Sequence, residues 1–228
     1  MIDPYADPKT GILRNKLGIT DAGELAAAEA DITGARLTRI AERPIPGNYD
    51  LAHLQEFHRE IFGSIYPWAG QIRSIEIGKD TGFCLVRMIP DFADDVFRRL
   101  GRRDDQLRGL DREIFLTKAA DLYGDVNALH PFREGNGRAQ RAFIGQLADS
   151  AGHPISWSQM DPERNRLASI ASYLGQNGPL RAMLADITTS PAAPEPSTQV
   201  APRSAAAPSL VEPPPSVRTG PKPPTHRL

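Results

Sequence analysis

The sequence predicts a mainly α-helical protein that carries one short β-hairpin and ends in an unstructured tail. Three observations point there. Between positions 21 and 187, apolar residues recur at spacings of three and four in successive segments, the period of helices with one buried stripe. Only residues 72–85 alternate apolar and polar side chains with a period of two. From Ser190 onward the chain holds 11 of its 21 prolines, no Phe, Tyr or Trp and few aliphatics, too little apolar surface to offset the entropy of ordering.

The elements follow in order. Residues 1–19 are rich in Pro, Gly and Asp and read as an irregular lead-in. Asp21 with Glu24 marks a helix start, followed by Leu25, Ala28, Ile32, Leu37 and Ile40; Pro44 and Pro46 close it. Asp50 caps a second helix with Leu51, Leu54, Phe57, His58 and Ile61 on one side. His53 and His58 read as structural, because nothing places a partner beside them, and Tyr66 and Trp68 read as core. Ile75 and Ile77 then alternate with polar residues, Gly78-Lys79-Asp80-Thr81-Gly82 is a turn cluster, and Phe83 and Leu85 resume the alternation. Phe92, Val96, Phe97 and Leu100 give a third helix, and 101–109 a charged loop. Asp111 caps a fourth, with Ile114, Phe115, Ala119, Leu122, Val126 and Leu129 as its stripe. Pro131 ends it, since the residue before proline is pushed out of the α region. Ala139, Phe143, Leu147 and Ala151 repeat every four residues, so a fifth helix begins near Asn136 as N-cap. Pro162 opens a sixth that continues through Leu167, Ile170, Ala171 and Leu174; Leu180, Met183, Leu184 and Ile187 give a short last one. One folded domain is therefore expected over 1–189, its core at roughly 45–187, with a tail at 190–228.

Composition narrows the classes. Lys plus Arg is 27 and Asp plus Glu is 28, a net charge of −1, which argues against nucleic acid or an acidic membrane as the main partner. The apolar runs are too short to span a bilayer, and the N-terminus shows no basic segment followed by an apolar core. The single cysteine, Cys84, cannot form an internal disulfide, which fits a cytoplasmic location and leaves delivery to another cell open.

The chemistry is concentrated in residues 130–141, H-P-F-R-E-G-N-G-R-A-Q-R. A candidate base, a carboxylate, a glycine-flanked asparagine and two arginines fall on one corner and the start of one helix. Gly135 and Gly137 permit a sharp turn and close approach of a ligand. Arg138 and Arg141 share a face in the first turns, where cations oppose the helix dipole. A bound polyanion removes that conflict, because free N–H groups, dipole and both guanidinium groups then address the same charge. Nucleotide-binding and metal motifs of different design fit worse. G-x-G-x-x-G would need a glycine at Gln140 and a strand before it; Gly78–Lys79 is followed by Asp80, with Arg73 where a Walker loop needs glycine. His130 and Glu134 have a zinc-like spacing, but Pro131 and Gly135 interrupt any regular helix across them and no third ligand is near.

The stretch resembles the signature of the Fic family, H-x-F-x-[DE]-G-N-G-R-x-x-R, with no departure. Weaker likeness extends over roughly 3–187, through N-K-L-G-I at 15–19, I-Y-P-W-A-G-Q-I-R at 65–73 and P-L-R-A-M-L at 179–184. The resemblance implies a Fic-type helical bundle with a hairpin flap at 72–85. It implies transfer of AMP from ATP to a Ser, Thr or Tyr hydroxyl of a target protein, with loss of pyrophosphate. His130 would be the base and Glu134 the Mg²⁺ ligand. Asn136 with the amides around Gly135 and Gly137 would cradle phosphate, and Arg138 and Arg141 would hold the β- and γ-phosphates. The flap, with Ile77, Gly78 and Lys79, would cover the nucleotide and hold the target by strand addition. Phe132 would be a packing residue; Arg133 has no assigned role. Two alternatives stand beside this: another phosphate-group transfer on the same scaffold, or a nucleotide-binding regulator with weak catalysis. Relatives modify type II topoisomerases or small GTPases, and the sequence does not choose between them. Many relatives are restrained by a glutamate in [ST]-x-x-x-E-[GN] that pairs with the last motif arginine, here Arg141. Glu24 is followed by Leu25 and Glu42 by Arg43, so neither completes the pattern. A separate antitoxin-like inhibitor is the resulting expectation, with toxicity when this chain is expressed alone.

Overall fold

The computed structural model describes residues 3–78, 83–102 and 105–189. The tail expected at 190–228, and Lys79 with the rest of the turn at 79–82, lie outside them. Seven helices form the described fold: α1 Ala22–Glu42, α2 Leu51–Phe62, α3 Ile89–Arg102, α4 Arg112–Leu129, α5 Asn136–Ser150, α6 Pro162–Tyr173 and α7 Gly178–Ile187. Aspartates set four of the starts. Asp21, Asp50, Asp111 and Asp161 each accept a hydrogen bond from the amide three residues on, which satisfies one of the orphan donors of a helix N-terminus.

The centre is α4. It packs on α3, α5, α6 and α7, and its buried residues run round the helix: Phe115, Leu116, Ala119, Ala120, Leu122, Tyr123, Val126 and Leu129. α2 lies against α5, and α1 crosses both. Phe143 of α5 is the hub of an aromatic cluster, meeting Tyr49, Phe57 and Phe97 edge to face with ring centroids 5.6–5.8 Å apart. This core carries the α4–α5 junction at one end. Tyr66 and Trp68 are buried, as is His58, in keeping with the structural reading of these residues.

Two expectations need correction and a third is not confirmed. Ile114 is 48 % exposed, because its neighbour Phe115 takes the core-facing position and successive helical residues point about a quarter turn apart. On α6, Leu167 and Ile170 face solvent; the helix meets α4 through its small residues instead, and a Cβ on Gly124 would lie 2.2 Å from Ser172 Oγ. The third concerns the flap. Among the described residues of 72–85 there is no strand. The arms bond to the α4–α5 junction, Arg73 N–H donating to Pro131 O (2.8 Å) and Cys84 N–H to Ala128 O (2.9 Å). Between the arms runs the Arg73 side chain, wholly buried, whose guanidinium donates to Ile75 O (2.9 Å) and Cys84 O. Glu76 adds a second bridge, its carboxylate accepting from Val86 N–H at 3.0 Å, so two side chains do what a ladder of backbone bonds would do in a hairpin.

Candidate active site

The helix α4 ends at Leu129, and His130 is its C-cap in a left-handed conformation, φ 41°. His130 is thus outside the right-handed α region, as expected of a residue before proline, and the helix ends there. A non-glycine residue at positive φ costs of order 1–2 kcal/mol, and such strain collects at functional sites. His130 Nδ1 lies 3.1 Å from Asn127 O. A carbonyl only accepts, so Nδ1 carries the proton and Nε2 keeps its lone pair. The Phe83 ring stacks on the imidazole, centroids 3.6 Å apart. Burial lowers the His130 pKa to about 4; the hydrogen bond to Asn127 opposes this and the Arg73 guanidinium adds to it. Arg73 Nε also donates to His130 O at 2.9 Å, fixing the corner from behind.

Residues 132–136 are pinned atom by atom. Asn136 Oδ1 accepts from Phe132 N–H (2.9 Å) and Asn136 Nδ2 donates to Phe132 O (2.8 Å). Phe132 stacks on His58, 3.9 Å between centroids. His58 Nδ1 accepts from Gly70 N–H (2.8 Å), which makes the ring neutral with its proton on Nε2, donated to Glu134 O at 2.8 Å. Burial holds the His58 pKa at about 4. Gly135 stands at φ 81° and a Cβ there would fall 2.3 Å from the Phe62 ring, so only glycine fits. It, not Asn136, is the N-cap of α5. Asn136 is the first helical residue and its side chain is spent on Phe132, so what it can offer a ligand is its backbone N–H. The amides of Asn136, Gly137 and Arg138 have no backbone acceptor among the described residues, as expected of a first helical turn.

The two arginines differ. Arg138 Nη2 lies 2.5 Å from Glu29 Oε1 of α1 and 3.8 Å from Glu134 Oε1. Its guanidinium sits 4.7 Å over the Phe62 ring, and Nη1 donates to Thr33 Oγ1. Glu29 accepts from the Tyr66 hydroxyl as well, and burial together with that carboxylate pushes the phenol's pKa upward. The conflict of a cation with the helix dipole is thus answered for Arg138 by carboxylates. Arg141 has no ion pair among the described residues. It lies back along the helix, its Nη1 3.1 Å from where a Gly137 Cβ would be and its charge close to the Tyr123 hydroxyl. The charge left unanswered at this helix end belongs to Arg141.

Glu134 is turned outward. Its Oε1 accepts from Gly135 N–H at 2.9 Å, and its side chain is 45 % exposed. Arg133, unassigned from sequence, donates from Nε and Nη2 to the one oxygen Oδ2 of Asp3, at 3.0 and 2.7 Å. The structure therefore gathers His130, Glu134, Gly135, Asn136, Gly137, Arg138 and Arg141 on one corner. Ile77 and Gly78 lie in the first arm of the flap, and Lys79 falls outside the described residues. Sequence reasoning missed Arg73, His58 and Glu29 as parts of this site. Glu29 had a usable signal: it stands four residues after buried Leu25 and four before buried Thr33, a carboxylate on the inner face of α1.

This corner, with its pinned loop and open helix N-terminus, agrees with three comparisons. The Fic/DOC family matches residues 48–148. The chain is 38 % identical over 182 residues to a Sinorhizobium fredii protein named "Probable protein adenylyltransferase y4lH" and covers 93 % of it. The chain belongs to the Fic/DOC family. It is also 40 % identical over 183 residues to protein adenylyltransferase VbhT of Bartonella schoenbuchensis, of whose length it spans only 38 %. Among solved structures, the Fic fold is matched by BepC of Bartonella tribocorum with bound AMPPNP at 28 % identity and a TM-score of 0.76, covering 82 % of this chain and 96 % of that one. A Bartonella quintana Fic domain with bound ADP matches equally well, at 28 % identity and a TM-score of 0.76 over 82 % and 94 % of the two chains. No helix among the described residues is long and apolar enough to cross a membrane.

Proposed function

We infer that this Fic domain is a protein adenylyltransferase, moving AMP from ATP to a hydroxyl of a target protein and releasing pyrophosphate. The observation that carries the reading is the pairing of a neutral imidazole, its Nε2 unprotonated, with an α5 N-terminus that offers free amides and an unpaired Arg141 on the same corner. His130 Nε2 accepts the proton of the target hydroxyl as its oxygen attacks the α-phosphorus. The bond from α-phosphorus to the bridging oxygen breaks, and the electron pair leaves with pyrophosphate. The amides of Asn136, Gly137 and Arg138 hold phosphate oxygens, and Arg141 offsets the charge that builds on the leaving group. Arg138 serves the same end once a phosphate competes with Glu29 for it. BepC and the Bartonella quintana domain bind nucleotides, which supports ATP as the donor here.

Magnesium fits the donor set. Glu134 presents an exposed carboxylate oxygen beside this cradle, and no cluster of three His, Cys, Asp or Glu is present among the described residues. A single carboxylate with substrate phosphates is how Mg²⁺ is commonly held, whereas an all-protein cage is not. Bound there, the ion would neutralise phosphate charge. Restraint by a separate protein remains part of the proposal: no carboxylate of the described residues pairs with Arg141, and both Glu24 and Glu42 are exposed on α1. A type II topoisomerase or a small GTPase would supply the hydroxyl. The purified chain is given ATP labelled on either the α- or the γ-phosphate, together with a lysate. Label from the α position alone should enter protein. Label from the γ position alone would make the chain a kinase, and label from neither would leave it a nucleotide-binding regulator.

A further inference from the structure

Next to His130 lies a cavity of about 310 Å³ that the nucleotide chemistry does not use. Phe83, Cys84, Leu85, Met88, Phe92, Ala128 and Tyr173 line it, with no charged side chain among the described residues. Three of these are large apolar residues turned to solvent: Leu85 is 42 %, Met88 49 % and Tyr173 44 % exposed. An apolar patch that is left open beside a reaction centre marks a surface that something covers. The cavity and the imidazole share a wall, for Phe83 both lines the cavity and stacks on His130, and Cys84 is tied to Ala128 at the end of α4.

We propose that this cavity takes an apolar side chain of the target protein, two residues from the hydroxyl that is modified. The inference rests on the adenylyltransferase reading, which requires a target hydroxyl at His130 Nε2. Phe83 stands against both the imidazole and the cavity, so the cavity adjoins the place of reaction. The spacing follows from contact distances. A side chain touching Phe83 sits one van der Waals contact, roughly 3.5–4 Å, from that ring, and the imidazole lies a similar distance from it, so the two are on the order of 7 Å apart. In an extended segment, residues i and i+2 point the same way and stand about 6.6–6.8 Å apart. The hydroxyl and the apolar group then enter from one side of one extended segment. With a lining of mainly apolar groups among the described residues, the cavity selects size and hydrophobicity rather than sequence.

The test uses a peptide library with a fixed Ser, Thr or Tyr acceptor flanked by randomised positions, the full chain, and ATP; adenylylated products are sequenced by mass spectrometry. Leu, Ile, Met or Phe should be enriched at least about fivefold at one of the two positions two residues away. Met88→Glu with Tyr173→Glu, both at exposed positions, should abolish the enrichment while ATP affinity stays within twofold of wild type. Products without positional preference, a preference unchanged in the double variant, or no labelled peptide at all while the same enzyme still labels lysate proteins from α-labelled ATP would each overturn the proposal. Loss of lysate labelling as well would instead strike the adenylyltransferase reading itself.

Discussion

The motif corner and the flap arms sit side by side and are built in opposite ways. In the corner, residues 130–136 have their polar groups committed several times over: to Asn127, to Asn136, to His58 and Gly70, and to Arg73. The flap arms, within the described residues, are held by two backbone bonds to α4 and the loop after it, by Tyr5 on Ser74, by Glu76 on Val86 N–H and by the guanidinium of Arg73. A site that orients phosphates gains from rigidity, since misplacement by an ångström is costly. An edge that receives varied polypeptides gains from being loosely held. Arg73 couples the two, because the same side chain takes the carbonyls of His130, Ile75 and Cys84.

Removing that coupling should have the largest effect on both regions. Arg73→Ala leaves three carbonyls without their donor, at about 1–3 kcal/mol each where they stay buried. The melting temperature should fall by on the order of 10 °C, and amide exchange in 72–78 and 83–86 should speed up more than in α5. Unchanged flap exchange would show that the arms are held otherwise. Gly135→Ala should act on the corner alone. Positive φ and the overlap with Phe62 together cost about 2–4 kcal/mol, and ATP affinity should drop while flap exchange stays as it was.

Lower pH should loosen the corner before the flap. His58 and His130 are held neutral with pKa values of about 4, below the ordinary 6.5 of an unfolded chain. Their stabilising effect is whole above pH 6.5. It is lost as pH falls from there to about 4, because the unfolded chain binds protons that the folded one refuses, on the order of 3 kcal/mol per histidine. Denaturant melts at pH 7 and pH 5 measure this; equal midpoints would contradict it. The smallest effect is expected from Glu29→Gln. The carboxylate and a phosphate compete for Arg138, so the variant should bind ATP several-fold more tightly by calorimetry, and weaker binding would show that Glu29 positions the guanidinium rather than occupying it.

Much of this was legible in the sequence, for physical reasons that can be named. The helix starts were visible because an aspartate N-cap acts on an amide only three residues away. The corner was visible because its chemistry is contiguous in the chain. What stayed hidden acts at a distance. Glu29 and Arg138 are 109 residues apart. Arg73 is satisfied mainly by backbone carbonyls, which every residue has and none advertises. The alternation in 72–85 tells which side chains share a face, not which backbone they bond to, and among the described residues the backbone bonds of the arms go to the α4–α5 junction.

Everything proposed for the corner turns on His130 Nε2 taking the proton of the attacking hydroxyl, and His130→Ala probes that step without touching the phosphate cradle. ATP affinity by calorimetry and transfer of α-labelled AMP to lysate protein should be measured on the same preparation. ATP affinity should stay within a few-fold of wild type while transfer falls at least about 10²-fold, the scale of general-base catalysis. Transfer near the wild-type rate with ATP still bound would mean that another group takes the proton, and the role given to His130 would be wrong.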